Sequence, residues 1–168
     1  MTPPVSPADL AAVEAQLGRP SRGTRAVGHR CPCSLPDVVV TEPRLPDGTP
    51  FPTTYYLTCP RATSMIGTLE GSGLMREMES RLDADAGLAA AYRGAHEAYL
   101  AERAALGDVP EIAGVSAGGM PDRVKCLHVL AAHALAAGPG VNPLGDEVLD
   151  RLGPWWADGP CIQLGDDA

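Results

Sequence analysis

The sequence predicts an α+β fold, a mainly helical single domain carrying one β-hairpin. Three observations support this: two strand-like segments flank an Asp47-Gly48 turn, apolar residues recur at helical spacing from Pro60 onward, and 168 residues suffice for one domain but not two. Glycine (19) and proline (17) make up about a fifth of the chain, yet 45% hydrophobic residues still support a core. With only seven aromatic residues, that core must be built from Leu, Val, Ala and the tyrosines.

Taken in order, Ser6, Pro7 and Asp9 read as an N-cap, a first-turn proline and a first-turn acid. Leu10, Val13 and Leu17 then share a face before Gly18 and Pro20 stop the helix. Arg19, Arg22, Arg25 and Arg30 follow in an acid-free segment expected to be a loop. Asp37–Thr41 and Phe51–Thr58 form the hairpin, its turn supplied by Asp47-Gly48, with Pro43 and Pro52 at irregular ends. Met65, Ile66 and Leu69, then Leu74 to Leu82, then Leu88, Tyr92, Ala95, Tyr99 and Leu106 mark successive helices. The glycine-bearing stretch Gly114–Gly119 interrupts them, and a helix is expected from about Asp122 to Ala137, capped by Asp122. Asn142-Pro143 reads as a helix start, with a short helix near Asp146–Leu152 before Trp155 and Trp156. The resulting organisation is an N-terminal helix (1–18), one cysteine-bearing α+β domain (19–163) and a short acidic tail (164–168).

A net charge of -8 argues against a general nucleic-acid binder. No stretch approaches the ~18 apolar residues of a membrane span, and Met1-Thr2-Pro3-Pro4 lacks the layout of a signal peptide, so a cytoplasmic protein is expected. Twelve of the 13 basic residues are arginine, leaving Lys125 as the sole lysine, kept for its chemistry or surviving on a surface by chance.

The odd number of cysteines, five, does not suit a disulfide framework, and their placement suggests metal binding or thiol chemistry. Cys31 and Cys33 precede the first hairpin strand and Cys59 ends the second, so closing the hairpin brings them toward one another. Cys126 opens the helix carrying Lys125, His128 and His133. On an ideal helix Cys126 and His128 lie ~200° apart, so both reach one metal only if Cys126 sits in the first turn. Cys31, Cys33, Cys59 and Cys126 meet the ligand count of zinc or of an iron–sulfur cluster, although their spacing matches no standard motif. Small buried core residues are the structural alternative. Cys59 stands at a strand-to-helix junction where a thiolate is favoured, but Met65 occupies the position at which the phosphatase signature needs arginine. Whether Cys161, His128 or His133 joins the ligands stays open.

The strings Arg30-Cys31-Pro32-Cys33, Pro46–Thr53, Tyr56-Leu57-Thr58-Cys59-Pro60, Val124-Lys125-Cys126-Leu127-His128, Asn142-Pro143 and Gly159-Pro160-Cys161 resemble the bacterial family called domain of unknown function 501, of actinobacterial type, over roughly residues 20–161. The resemblance implies no established activity. It implies a cytoplasmic housekeeping setting near a septum-formation-initiator-like protein and an exopolyphosphatase. Members often carry a further histidine where this chain has Leu130, which shifts weight onto the thiols.

The expected function is therefore a cysteine-lined zinc or iron–sulfur site at the hairpin base, with Lys125, His128 and Arg61 on its open side acting on an anionic small molecule. Two alternatives stand beside it: a non-enzymatic adaptor docking a protein partner in a cell-division or polyphosphate setting, and a metal-free thiol enzyme.

Overall fold

The computed structural model describes residues 2–165. Six α-helices surround a three-stranded antiparallel sheet of order β1-β2-β3, giving the expected mainly helical α+β architecture. The acidic tail expected at 164–168 lies mostly outside the described residues. Among the described residues no helix is long and apolar enough to cross a membrane.

Helix α1 (Pro7–Leu17) forms as its caps dictate: the Ser6 hydroxyl accepts the Asp9 N–H at 3.1 Å, and Gly18 closes it in the left-handed region. Strand β2 (Pro36–Thr41) is buried at every residue and pairs with β3 (Tyr55–Leu57), Val38 opposite Leu57 and Val40 opposite Tyr55. This is the expected hairpin with a shorter second strand, because the Thr54 N–H turns away to the Tyr99 hydroxyl at 2.7 Å.

The arginine-bearing segment is a loop only as far as Gly23, with Arg19 and Arg22 on it. Residues Thr24–Arg30 form β1 on the other edge of β2, since a wholly buried strand needs partners for both rows of backbone polar groups. Arg25 pairs with Glu42 at 3.2 Å and Arg30 with Asp9 at 2.9 Å, so two of the four arginines are already engaged and do not form a free basic patch.

His29 of β1 bonds through Nδ1 to the wholly buried Asp37 at 2.7 Å, and that hydrogen bond holds the imidazole pKa above its ordinary 6.5. A raised folded-state pKa contributes stability below pH 6.5 that is lost as pH rises through the raised value. The melting temperature should therefore fall more steeply above pH 6.5 in the native protein than in His29→Gln. Equal slopes in a pH series of thermal melts would remove this coupling.

Helix α2 (Pro60–Glu70) starts at Cys59 as expected, followed by α3 (Leu74–Ala84) and α4 (Ala86–Leu106). The next helix, α5, covers Leu127–Ala137 rather than beginning near Asp122. Backbone donors that would start a helix earlier are taken elsewhere: Val124 N–H by Glu79, Leu127 N–H by Glu70 and Lys125 N–H by the Gly118 carbonyl. Asp122 caps nothing and pairs with Arg93. Helix α6 (Pro143–Leu152) begins at the expected Asn142-Pro143 entry, a turn before Asp146, with Asn142 accepting the Gly145 N–H at 3.0 Å.

The core sits around α5, whose Leu127, Leu130, Ala131, Ala132, His133 and Ala134 are all buried. It packs between the sheet and α6, with α2 alongside. This places the start of α5 next to α2 and the end of the sheet, where the functional residues lie.

Candidate metal centre at the start of helix α5

Cys126 is the N-cap of α5, in an extended conformation, and His128 is the second residue of its first turn. Leaving the helix before residue 127 removes the angular conflict between these two side chains on an ideal helix. Glu70 ends α2 beside them. Its Oε2 accepts the Leu127 N–H at 3.0 Å, and its Oε1 lies 2.9 Å from His128 Nδ1. His128 Nε2 lies 3.0 Å from the Thr63 carbonyl, which can only accept, so Nε2 carries a proton.

One donor atom from each of Glu70, Cys126 and His128 falls within 4.8 Å of the others, and all three residues are half-buried. Among the described residues this is the one such convergence of three His, Cys, Asp or Glu side chains. It opens on a cavity of about 340 Å³ whose walls include Thr53, Tyr55, Tyr56, Thr63 and Val129.

The electrostatics of the cluster are mutual. Hydrogen bonding to Cys126 raises the His128 pKa to about 9 against the opposing effect of burial, with the Thr63 carbonyl and Glu70 adding to the rise. Burial pushes the Cys126 thiol upward, but its contact with His128 and the Val129 N–H outweighs this and leaves it below the ordinary thiol value.

The remaining expected ligands lie elsewhere. Cys31 is buried beside Cys33 in the β1–β2 turn, its thiol pushed up to about 12 chiefly by burial. Cys59 is 1% exposed and neighbours Cys161. None of these three joins Cys126 in a cluster of ligand spacing. Cys59 and Glu70 close opposite ends of α2, about 16 Å apart along its axis. The start of α5 instead lies along α2, meeting the Glu70 carboxylate at its end and, through His128, the Thr63 carbonyl near its start.

Of the residues expected on the open side, only His128 lines the cavity. Lys125 is exposed, and Arg61 donates to the Gly159 carbonyl at 2.7 Å, holding the C-terminal segment.

Sequence reasoning missed Glu70, although it is the single acid between Pro60 and Leu74 and ends a helix. It also missed what supports the cavity wall. Asn142 Oδ1 is committed to Gly145, so Asn142 Nδ2 donates to His133 Nδ1 at 3.2 Å. The wholly buried His133 consequently presents Nε2–H toward Glu102 at 3.5 Å. The Tyr55 ring stacks on His133 at 5.8 Å and its hydroxyl faces Glu102, fixing one side of the cavity.

Three donors of types O, N and S suit a zinc ion with one position left open. His128 and Glu70 each have their second polar atom held by backbone, the arrangement that orients metal-ligating side chains. An iron–sulfur cluster does not fit this set, which contains one thiol.

The family described as protein of unknown function (DUF501) matches residues 27–150, about three quarters of the chain, and takes in Glu70, Cys126 and His128 but not Cys161. No curated protein and no solved structure matches the chain.

Proposed function

Because the chain belongs to the family of proteins of unknown function DUF501, we propose a function from the site alone: a mononuclear zinc centre held by Glu70, Cys126 and His128 that binds and acts on an anionic small molecule in the adjoining cavity. The observation that carries this reading is the backbone bracing of two of the three ligands, Glu70 and His128. Thr63 occupies His128 Nε2 and Leu127 occupies Glu70 Oε2, which leaves one donor atom on each residue beside the Cys126 thiol.

Zinc with an open coordination position supplies a Lewis acid at the cavity. The N-terminus of α5 adds a partial positive charge at the same place, and together they favour an anionic ligand. Tyr55, Tyr56, Thr53 and Thr63 line the site and give the ligand hydroxyl and aromatic contacts.

One observation favours a second reading, a metal-free thiol enzyme. Both ring nitrogens of His128 face acceptors, which favours a protonated imidazole, and its contact with Cys126 holds that thiol below its ordinary value, as a nucleophile requires.

Metal and acid-labile sulfide content separates the two on protein purified anaerobically without a metal-binding tag. Zinc at about one ion per chain without sulfide is the expected result. Metal at trace level together with fast, selective alkylation of Cys126 at neutral pH would replace the zinc centre by the thiol enzyme.

A further inference from the structure

Outside the candidate metal centre, the C-terminal segment brings a second pair of reactive groups together. Cys161 lies beside Cys59, although 101 residues separate them in sequence. Four hydrogen bonds fix the approach, only one of them to a sulfur. Arg61, two residues past Cys59, donates to the Gly159 carbonyl at 2.7 Å. Gln16 Nε2 donates both to the Pro36 carbonyl at 2.6 Å and to Cys161 Sγ at 3.3 Å. Thr58, which precedes Cys59, directs its hydroxyl to that same Pro36 carbonyl at 3.5 Å.

The two thiols are unequal. Cys59 is 1% exposed and caps the start of α2, while Cys161 is partly exposed on an irregular segment. Neither belongs to the Glu70–Cys126–His128 cluster.

We propose that Cys161 and Cys59 form a thiol–disulfide exchange site for a low-molecular-weight disulfide, Cys161 taking it up and Cys59 resolving it. In the first step the Cys161 thiolate attacks one sulfur of the disulfide. A bond forms to Cys161 Sγ, the sulfur–sulfur bond of the small molecule breaks, and one thiolate leaves and takes a proton. In the second step the Cys59 thiolate attacks Cys161 Sγ. The Cys59–Cys161 bond forms, the mixed disulfide breaks, and the second small thiol departs. The protein loses two electrons and two protons, and the small disulfide gains both as two thiols.

Each environment suits its role. A bulky disulfide reaches Cys161 but not the buried Cys59, so the mixed disulfide forms only on the C-terminal segment. The Gln16 amide stabilises charge developing on Cys161 Sγ. The Arg61 and Ala62 N–H groups at the start of α2 favour the thiolate that Cys59 needs for attack, although burial holds its pKa up at about 11. The product ties the C-terminal segment to the opening turn of α2. Cytoplasmic disulfides are characteristically transient and of the catalytic or redox-sensing kind, which fits a pair readily reversed by small thiols.

The test exposes the full-length protein as isolated to oxidised glutathione, then counts free thiols after denaturation and maps the modified peptides by mass spectrometry. Native protein is expected to go from five free thiols to three, with one Cys59–Cys161 disulfide reversed by a reductant. Cys59→Ser should stop at the first step and accumulate one glutathionyl group on Cys161. Cys161→Ser should keep all its remaining thiols over the same time. Native protein that retains five thiols, a disulfide mapped to Cys31–Cys33 or Cys126, or a Cys59→Ser variant modified elsewhere than Cys161 would each overturn the proposal.

Discussion

Cys126→Ser protein is expected to emerge from an anaerobic, tag-free purification with at least ~10-fold less zinc than the native chain, while its circular dichroism stays native. The thiol contributes one of three donors in the cluster and caps α5 without making a conventional capping hydrogen bond, so its oxygen analogue keeps the backbone arrangement and loses the soft ligand. His128→Ala should lose metal to the same degree. Glu70→Gln should also lose it, although the amide oxygen can still accept the Leu127 N–H. Cys31→Ser, Cys33→Ser and Cys59→Ser are expected to retain full metal content, since none of these thiols reaches the cluster. Metal retention in Cys126→Ser, or its loss in Cys59→Ser, would move the centre back to the hairpin base.

The largest effect on stability is expected from Gly145→Ala. A β-carbon there would stand 2.2 Å from the Leu130 carbonyl oxygen and 2.8 Å from the Ala134 β-carbon, both in α5. Neither is the end of a flexible side chain, so relief requires the two helices to separate. Alanine normally gains about 1 kcal/mol over glycine inside a helix, so the sign of the change isolates the close approach of backbones. Overpacking of this kind costs ~3 kcal/mol or more, roughly a 10 °C fall in melting temperature for a chain of this size. Because α6 braces α5 and Asn142 orients His133, the variant should also loosen the Tyr55 wall of the cavity. An unchanged or raised melting temperature would contradict the packing described between α5 and α6.

Local signals carried most of the fold. Ser6, Asp47-Gly48, Cys59-Pro60 and Asn142-Pro143 set the boundaries of α1, the hairpin, α2 and α6 through residues whose backbone preferences need no tertiary partner. Two elements were illegible for a shared reason. Thr24–Arg30 has weak strand character of its own and pairs because buried β2 needs a second neighbour. The start of α5 is displaced because Glu70 and Glu79 capture backbone N–H groups from distant helices.

The site shows the same division. Cys126 and His128 were visible as residue types at suggestive spacing, whereas Glu70 enters only through the packing of α2 against α5. The four-thiol grouping of Cys31, Cys33, Cys59 and Cys126 assumed that the α5 helix docks at the hairpin base. In the folded protein Cys126 instead groups with Glu70 and His128, and Cys59 finds Cys161.

X-ray absorption at the zinc edge on the protein as isolated tests the central claim most directly, because it reads the donor set without substitution. A centre built by Glu70, Cys126 and His128 predicts one sulfur at about 2.3 Å with the remaining two or three scatterers nitrogen or oxygen at about 2.0–2.2 Å. Two or more sulfurs in that shell would contradict it and place the metal among the other cysteines.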